Sequence, residues 1–269
     1  MALFKEDIEF TTTLINVYFL GKHHSNGTGF FVLKVYNGKT YLYLVTNRHV
    51  LEVEDDNDPT IKYDADKIIL NILHKGSGPT QYEIDLKKNK KVCSAVKDID
   101  IAIVFLSKSK LPLELSNIRA LDINVNAWSS KEYMDKGGYN GSNIAMIGYP
   151  ISTTFPYIDT PMFRRGYVAR ISQTDITLIK NFVLDIQNFP GNSGSPVFCL
   201  PDPAPIDGTD NINELRLIGI VHSYVHYKHK ISGYYSGGKP VEIKENTGLA
   251  MANPVEFIRE IIDDDVVSR

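Results

Sequence analysis

The sequence predicts an all-β protein made of two six-stranded antiparallel β-barrels and a short C-terminal helix. Short segments rich in β-branched and aromatic residues recur along the 269 residues, with turn residues between them. No long amphipathic pattern separates these segments, and one polar stretch divides them into two groups of similar size. A doubly wound sheet needs a helix between successive strands, so these patterns argue against that class.

The first group of strand patterns precedes residue 107. Asn37-Gly38 lies between two of them and predicts a tight hairpin, because both residues tolerate a positive φ angle. The predicted strands of this group are Thr12–Leu20, Phe30–Tyr36, Thr40–Val45, Lys67–Leu73, Gln81–Leu86 and Ile99–Leu106.

The second group follows the stretch Leu106–Ser142, which carries proline and several glycines and is predicted to connect the two barrels. Apolar residues at helical spacing after Pro254 predict a C-terminal helix, which the acidic run Asp263–Asp265 is expected to end. The predicted strands of this group are Ile144–Gly148, Gly166–Ser172, Phe182–Gln187, Pro196–Leu200, Arg216–Tyr227 and Gly248–Ala252.

The whole chain is predicted to form a single domain. The first barrel spans residues 1–125, the second spans 126–253, and the helix and tail span 254–269. Connections between strands run over the surface and tend to be polar. The predicted surface loops are Glu52–Asp66, Asp202–Glu214 and Lys228–Asn246.

The composition predicts a folded, cytoplasmic protein with no nucleic-acid or membrane partner. Hydrophobic residues make up 43% and charged residues 23% of the chain, so dominant disorder is excluded. The net charge of −3 argues against binding nucleic acid through its phosphates, which usually needs a basic protein. The chain has no apolar run near the roughly 18 residues of a membrane span and no secretory signal pattern at its N-terminus. Its two cysteines do not make a disulfide framework.

The segment Pro190–Pro196, which reads PGNSGSP, is the most specific in the chain. A serine between glycines on a tight turn exposes its hydroxyl and leaves backbone N–H groups free to point at one oxygen. The N–H groups of Gly191 and Ser193 would then stabilise the oxyanion of a tetrahedral intermediate. Taken alone, the segment is equally compatible with a glycine-rich turn that has no chemistry.

Two further segments favour the catalytic interpretation. Tyr41–Val50 is an apolar strand that ends in a polar turn presenting His49, and Asp98 and Asp100 stand at the mouth of another apolar strand. A serine hydroxyl is a weak nucleophile and needs a neighbouring base that is oriented by a third group. The histidine, an aspartate and Ser193 supply these parts in the chain order His, Asp, Ser, which chymotrypsin-type double barrels use.

In their order along the chain, these and several other segments resemble the trypsin-like serine proteases, most closely the HtrA/Deg-type protease domain. The resemblance covers most of the chain and implies a chymotrypsin-like double barrel. The segments that carry it are Gly27–Phe30, Thr46–Val50, Asp100–Ala102, Gly148–Pro150, Arg165–Val168, Gly191–Gly194 with Asp185 before it, Leu217–Ile220 and Gly248–Ala250.

The resemblance implies a serine endopeptidase that needs no cofactor. Ser193 is the nucleophile, His49 is the general base and acid, and Asp100 orients His49. Asp98 is the alternative residue for orienting His49. Asp100 is preferred because the family motif places the aspartate directly before a short apolar–alanine pair. The N–H groups of Gly191 and Ser193 form the oxyanion hole.

The sequence departs from the family at two places. His222 stands where trypsins have a serine near the orienting aspartate. Its imidazole could hydrogen-bond Asp100, point into the substrate pocket, or be a strand histidine satisfied by a backbone carbonyl. After the predicted helix only Asp263–Arg269 remain, so we expect this chain to lack the PDZ domain of many HtrA proteins.

The implied substrate is a protein or peptide bound in an extended conformation. It would add an edge strand along His222–Tyr224, with backbone hydrogen bonds giving affinity. The first specificity pocket is expected near Gln187 and Asn188, with Ser223 and Tyr224 on the opposing wall. None of these residues is acidic, so a basic side chain would enter without a counter-charge. Cleavage is therefore expected to follow uncharged residues.

The spacing of three histidines argues against a metal site. His222, His226 and His229 would line one face of a helix, but the surrounding pattern is β-like. On a strand, His222 and His226 lie roughly 13 Å apart and His229 points to the opposite side. Two alternatives to peptide hydrolysis stay open: a protease fold that has lost its chemistry and only binds peptides, and an esterase that uses the same three residues.

Overall fold

The computed structural model describes residues 8–55, 58, 60–89, 91–106, 118–150, 160–202, 211–231 and 241–269. Within this part of the chain, two β units share a hydrophobic cluster and a C-terminal helix contacts strands of both. The double-barrel fold class predicted from the sequence is confirmed.

The N-terminal unit is built around one eight-stranded sheet, to which short strands contribute beyond the six predicted. Its strands are β1 (Thr12–Phe19), β2 (Lys22–Tyr36), β3 (Lys39–Thr46), β4 (Glu52–Glu54), β5 (Lys62–Asp64), β6 (Lys67–His74), β7 (Ser77–Asp85), β8 (Lys91–Cys93), β9 (Ala102–Leu106) and β10 (Leu121–Asp122). The order in the sheet is β7-β6-β1-β2-β3-β9-β8, and β10 pairs in parallel with β2. Strands β4 and β5 form a separate hairpin.

This sheet is buried on both faces near the joint between the two units. Phe30 and Val32 of β2 belong to a cluster shared with the C-terminal unit, whereas Phe31 between them belongs to the core of the sheet itself. Successive side chains of a strand point to opposite faces, so β2 lies between two hydrophobic layers. The predicted hairpin after β2 is confirmed, with φ angles of 48° at Asn37 and 73° at Gly38.

The C-terminal unit is a closed barrel with the strand order β11-β12-β13-β16-β15-β14, where β11 is Asn143–Gly148, β12 is Met162–Arg170, β13 is Phe182–Asp185, β14 is Pro196–Cys199, β15 is Arg216–Ile231 and β16 is Val241–Pro254. The six strands agree with the sequence prediction for this half. Three helices accompany the barrel: α1 (Ser130–Asp135), α2 (Gln173–Ile179) and α3 (Val255–Ser268).

The predicted end of α3 at the acidic run is wrong, because the helix continues through the run to Ser268. Asp265 accepts a hydrogen bond from the Tyr43 hydroxyl at 2.9 Å and forms an ion pair with Arg269 at 2.5 Å. Val266, next to it, is buried in the shared cluster. Pairing of this carboxylate and burial of its neighbour keep the last turns of the helix formed.

The two short helices α1 and α2 were not predicted. In α1, the Ser129 hydroxyl oxygen accepts the Glu132 N–H at 3.2 Å and the Ser129 N–H donates to the Glu132 carboxylate at 2.7 Å. In α2, the Ser172 hydroxyl oxygen accepts the Asp175 N–H at 3.0 Å. A serine three residues before an acid was the missed signal in both places. Helix α1 lies in the predicted connector, of which residues 107–117 are outside the described part.

Two predicted loops contain strands. Glu52–Asp66 holds the β4–β5 hairpin, and Lys228–Asn246 holds the ends of β15 and β16, which pair out to Ile231 and Val241. These ends resemble a loop in sequence because they are polar, yet a two-stranded ribbon needs no apolar face to pair. Asp202–Glu214 lies largely outside the described residues. None of the helices described is both long and apolar enough to cross a membrane.

Candidate active site

His49 begins a short 3-10 helix that is separated from β3 by two residues, and it contacts Asp100, which precedes β9. The His49 Nδ1 and Asp100 Oδ2 atoms are 2.5 Å apart, and the His49 backbone N–H donates to Asp100 Oδ1 at 3.1 Å. The two contacts fix the plane of the ring and leave Nε2 on the side of the ring that points away from Asp100. The His49 side chain is 40% exposed, so a substrate can reach it.

Asp100 is held through its backbone as well as through its carboxylate. Its carbonyl accepts hydrogen bonds from the Asn47 side chain at 2.7 Å and the Arg48 N–H at 3.3 Å. Its N–H donates to the side-chain oxygen of Asn253 at 3.0 Å. Burial raises the pKa of the Asp100 carboxyl, but the hydrogen bonds and charge of His49 outweigh burial, so the net pKa is lowered.

Asp98, the alternative partner for the histidine, is exposed in the structure. Its backbone carbonyl accepts a long 3.4 Å hydrogen bond from the Asn253 side chain. Both aspartates lie before β9 rather than in it, so strand alternation does not put them on one face. The aspartate that contacts His49 is therefore Asp100.

The loop that carries Ser193 joins β13 to β14 and depends on two glycines. Gly191 and Gly194 have φ angles of 92° and 90°, a region that favours glycine. At Gly194 a side chain would also collide with the carbonyl of Thr28. The backbone of this turn therefore requires glycine at positions 191 and 194.

Thr28 of β2 fastens this loop to the N-terminal sheet. Its N–H donates to the Ser193 carbonyl at 2.9 Å, and its hydroxyl donates to the Gly191 carbonyl at 2.7 Å. Both carbonyls are thereby turned towards β2. The N–H groups of Gly191 and Ser193 donate to no partner in the part of the chain that the structure describes, so both are available to a ligand oxygen.

The Ser193 hydroxyl has only a weak internal contact. It donates to the carbonyl of His222 at 3.5 Å, which is at the limit of a hydrogen bond. Ser193 and His49 both line one open cleft of about 510 Å³. The other lining residues are His24, Ser25, Asn26, Val50, Glu52, Glu54, Asp55 and Lys62.

The His222 side chain has a partner that none of the sequence hypotheses included. Its Nε2 lies 2.8 Å from the side-chain oxygen of Asn181, which also accepts a hydrogen bond from Asn253 at 2.8 Å. Because that oxygen is the acceptor, His222 Nε2 carries the hydrogen. Burial lowers the pKa of His222 to about 4, with nearby Asp100 opposing and His49 reinforcing the shift. The ring is therefore neutral near pH 7.

Sequence reasoning missed Asn181 and Asn253. Asn253 is fully buried, and its side-chain nitrogen also donates to the Lys180 carbonyl at 2.9 Å. Together with His222, these two amides form a buried polar cluster behind Asp100. No motif marks such residues, because an asparagine that supports a backbone N–H has no characteristic neighbours in sequence.

The predicted specificity-pocket residues are partly brought together. Asn188 is buried and donates to the Ser223 carbonyl at 3.1 Å, so these two residues are in contact. Gln187 is exposed, and its carbonyl accepts a hydrogen bond from Arg164 at 3.3 Å. The Tyr224 ring packs on the His226 ring, with the centroids 4.3 Å apart.

The structure offers no metal centre among the described residues, where no three histidine, cysteine or acidic side chains are grouped to hold an ion. His222 and His226 have the separate contacts given above. The His229 side chain lies outside the described part. Cys93 and Cys199 are free thiols, and burial raises the pKa of Cys199 to about 12.

Comparison with known proteins gives a family and a fold. Residues 27–202 match the family model described as a trypsin-like peptidase domain. No curated protein matches the chain. Among solved structures, the serine endoprotease from Yersinia pestis is 15% identical with a TM-score of 0.53, over 96% of this chain and 64% of that one. This chain thus spans less than two thirds of that protein's length.

Two further solved structures are similar over nearly their whole length. Protease Anisep from Arthrobacter nicotinovorans is 11% identical with a TM-score of 0.52, over 91% of this chain and 90% of that chain. The thermostable serine protease AL20 from an extremophilic microorganism is 9% identical with a TM-score of 0.54, over 97% of this chain and 99% of that one. At such identities the likeness shows a shared fold.

Proposed function

The chain belongs to the trypsin-like peptidase family, and we propose that it is a serine protease that hydrolyses peptide bonds through an acyl-enzyme formed on Ser193. The observation that carries the proposal is the 2.5 Å contact between His49 Nδ1 and Asp100 Oδ2 at the edge of the cleft that also holds Ser193. A base that is oriented by a carboxylate beside a serine hydroxyl is the arrangement that acyl transfer needs.

In the first half of the reaction, His49 Nε2 takes the proton of the Ser193 hydroxyl as its oxygen attacks the substrate carbonyl. The imidazolium that forms is stabilised by Asp100, which the lowered pKa keeps ionised. The new oxyanion accepts hydrogen bonds from the N–H groups of Gly191 and Ser193, which have no internal partner among the described residues.

In the second half, His49 gives its proton to the leaving amine, and the acyl group remains on Ser193. Water then attacks the ester carbonyl while His49 takes a proton from the water. Collapse of this second intermediate returns the proton to Ser193 and releases the carboxylic acid. The neutral His222 nearby adds no competing charge near pH 7, because burial lowers its pKa.

The substrate binds as an extended strand along His222–Tyr224. The residue before the cleaved bond enters a pocket formed by Asn188 and Ser223, whose mutual hydrogen bond is 3.1 Å long. The pocket offers amide and backbone groups without a carboxylate. An uncharged side chain, apolar or amide-bearing, is therefore the preferred residue, because a buried unpaired charge is costly.

A fluorophosphonate probe followed by peptide mapping tests this proposal. Covalent labelling of Ser193, together with hydrolysis of a peptide library after uncharged residues, is the expected outcome. A folded protein that binds peptides without being labelled would be a lapsed enzyme. Labelling with hydrolysis of esters and not of peptides would instead identify an esterase.

A further inference from the structure

One buried side chain of the C-terminal barrel contacts the segment around Asp100 at two points. Asn253 lies near the end of β16 and is fully buried. Its Oδ1 accepts the Asp100 N–H at 3.0 Å, and its Nδ2 lies 3.4 Å from the Asp98 carbonyl oxygen. These two backbone groups flank Ile99, which is itself buried in the cluster shared by the two units. A single amide therefore holds the backbone directly before the carboxylate that contacts His49.

The orientation of this amide is fixed by groups that can only accept a hydrogen bond. Asn253 Nδ2 donates to the Lys180 carbonyl at 2.9 Å and to the side-chain oxygen of Asn181 at 2.8 Å. A backbone carbonyl has no proton to give, so the amide nitrogen must face Lys180 and the amide oxygen must face the Asp100 N–H. A flipped amide would place oxygen against oxygen on one side and two N–H donors against each other on the other side.

Asn181, one contact further from Asp100, is oriented in the same way. Its Nδ2 donates to the Ile179 carbonyl at 2.7 Å, so its side-chain oxygen is the acceptor. That oxygen accepts from Asn253 and from His222 Nε2, each at 2.8 Å. Ile179 is the last residue of α2, which joins β12 to β13, and His222 lies in β15. The buried chain of hydrogen bonds behind Asp100 therefore ends on elements of the C-terminal unit.

These contacts connect the two units at Asp100. The other hydrogen-bond partners of Asp100 described above are residues 47–49, which belong to the N-terminal unit. Asn253 belongs to the barrel that carries Ser193. Hydrogen bonds are stronger in a buried, low-dielectric setting, and a buried network whose members are satisfied is rigid. Asn253 therefore determines where Asp100 lies relative to the barrel.

We propose that Asn253 is a positioning residue for the reaction, which places the Asp100–His49 pair relative to Ser193 by holding the Asp100 backbone. The inference rests on the proposed function, in which His49 takes the proton of Ser193. Asn253 is fully buried, and it is not among the described residues that line the cleft of Ser193 and His49. It therefore acts on the base and not on the substrate, so loss of its contact should lower kcat and leave KM nearly unchanged.

Asn253→Ala and a matched control test this role. The variant should lower kcat about 10- to 100-fold, because small displacements of catalytic groups have effects of this size, and should change KM less than about twofold. The control is Asn126→Ala, which removes another buried amide oxygen that accepts a backbone N–H, that of Asp122 at 2.9 Å. It should lose stability in thermal melting and keep its kcat. An unchanged kcat in Asn253→Ala, or equal losses of kcat in both variants, would overturn the inference.

A double-mutant cycle shows whether Asn253 acts through Asp100. Asp100→Asn keeps the backbone N–H that Asn253 accepts but removes the charge that is to be positioned. In this background, Asn253→Ala should lower kcat less than about threefold further, because residues that act as one unit are not additive. The same loss in both backgrounds would show that Asn253 acts independently of Asp100 and would overturn the inference.

Asn181→Ala is the second variant, to be used if Asn253→Ala does not fold. It removes the acceptor that orients the Asn253 amide and leaves Asn253 itself in place. Its effect should be smaller, about two- to tenfold on kcat, the range of one hydrogen bond. This loss should again disappear in the Asp100→Asn background, and its persistence there would contradict the positioning role.

Proton NMR of the hydrogen between His49 Nδ1 and Asp100 detects the same contact without any substrate. A hydrogen between two atoms 2.5 Å apart is strongly deshielded, and its disappearance from that position in Asp100→Asn assigns the resonance. Asn253→Ala should shift this resonance upfield, whereas Asn126→Ala should leave it in place. A shifted resonance in a protein that fluorophosphonate does not label would support the positioning of the pair and contradict the catalytic proposal. An unchanged resonance in a protein that is labelled at Ser193 would overturn this inference alone.

Discussion

The two halves of the molecule hold their reactive groups by different means. The N-terminal sheet holds His49 through a carboxylate, so its half of the site depends on charge. The C-terminal barrel holds Ser193 on a loop shaped by glycines and by backbone hydrogen bonds, so its half depends on geometry. Thr28 joins the two, because it belongs to the first unit and bonds the loop of the second. Substitutions in the two halves should therefore lower activity for different reasons. In the first half the charge beside His49 is lost, and in the second half the geometry of the Ser193 loop is lost.

The largest effect is expected from the nucleophile. Ser193→Ala removes one oxygen from a half-buried side chain and should lower kcat by several orders of magnitude, roughly 10⁴ to 10⁶, without unfolding the protein. Ser195→Ala is the matched control, since its hydroxyl is buried and has no hydrogen-bond partner within the described part of the chain. Peptide turnover and thermal melting measure both variants. Equal turnover of the wild type and Ser193→Ala would exclude Ser193 as the nucleophile.

The second-largest effect is expected from Asp100, whose charge orients His49. Asp100→Asn keeps the shape of the side chain but removes the charge that stabilises the imidazolium, and kcat should fall by about 10³ to 10⁴. Asp98→Asn, two residues away and exposed, should change kcat less than about threefold. Steady-state kinetics of the pair decide between the two aspartates. A larger loss in Asp98→Asn would contradict the assignment.

Substitution of Thr28, which joins the two halves, should lower kcat by less than the two changes above. Thr28→Val keeps the volume but leaves the Gly191 carbonyl and the Tyr149 N–H without their hydroxyl partner, which lies at 2.7 and 3.0 Å. Loss of loop position should lower kcat by about 10- to 100-fold, with a stability loss of about 1–3 kcal/mol. Thr13→Val also removes a buried hydroxyl, which bonds the Asn71 carbonyl at 2.9 Å. That control should lose stability and keep kcat; parallel losses of kcat in both would show that Thr28 acts only on stability.

The last expected effect concerns stability in acid rather than turnover. The pKa of His222 is lowered from 6.5 to about 4 in the folded protein, so between these values only the unfolded chain binds the proton. This contribution to stability is complete above about pH 6.5 and is lost as the pH falls to 4, up to about 3 kcal/mol. His222→Gln keeps a donor for Asn181 and removes the titration. Urea midpoints at pH 7, 5.5 and 4 should fall less steeply in the variant than in the wild type; identical slopes would refute this account of His222.

Sequence patterns were sufficient for the parts of the molecule that depend on local chemistry. The hairpin at Asn37-Gly38 follows from two residues that accept a positive φ angle, and it forms as predicted. The loop around Ser193 likewise follows from its glycines. In these places the residues that determine the structure are neighbours in sequence, so a short pattern contains the whole signal.

The features that were missed depend on partners far apart in the chain. The helix α3 passes the acidic run because Asp265 bonds Tyr43, which precedes it by 222 residues. Asn253 supports Asp100 from 153 residues away. Short-range patterns carry no information on such contacts, and polarity alone made the long β15–β16 ribbon resemble a loop. The choice between Asp98 and Asp100 likewise needed the position of His49 in space.

Fluorophosphonate labelling of two matched variants tests the central claim most directly, that the base of one half activates the nucleophile of the other. The rate of labelling at Ser193, located by peptide mapping, should be much lower in Asp100→Asn than in the wild type, because His49 then lacks the carboxylate that orients it to accept the hydroxyl proton. Asp98→Asn, in which that contact is intact, should follow the wild type. A rate at Ser193 that is unchanged in Asp100→Asn would contradict the claim.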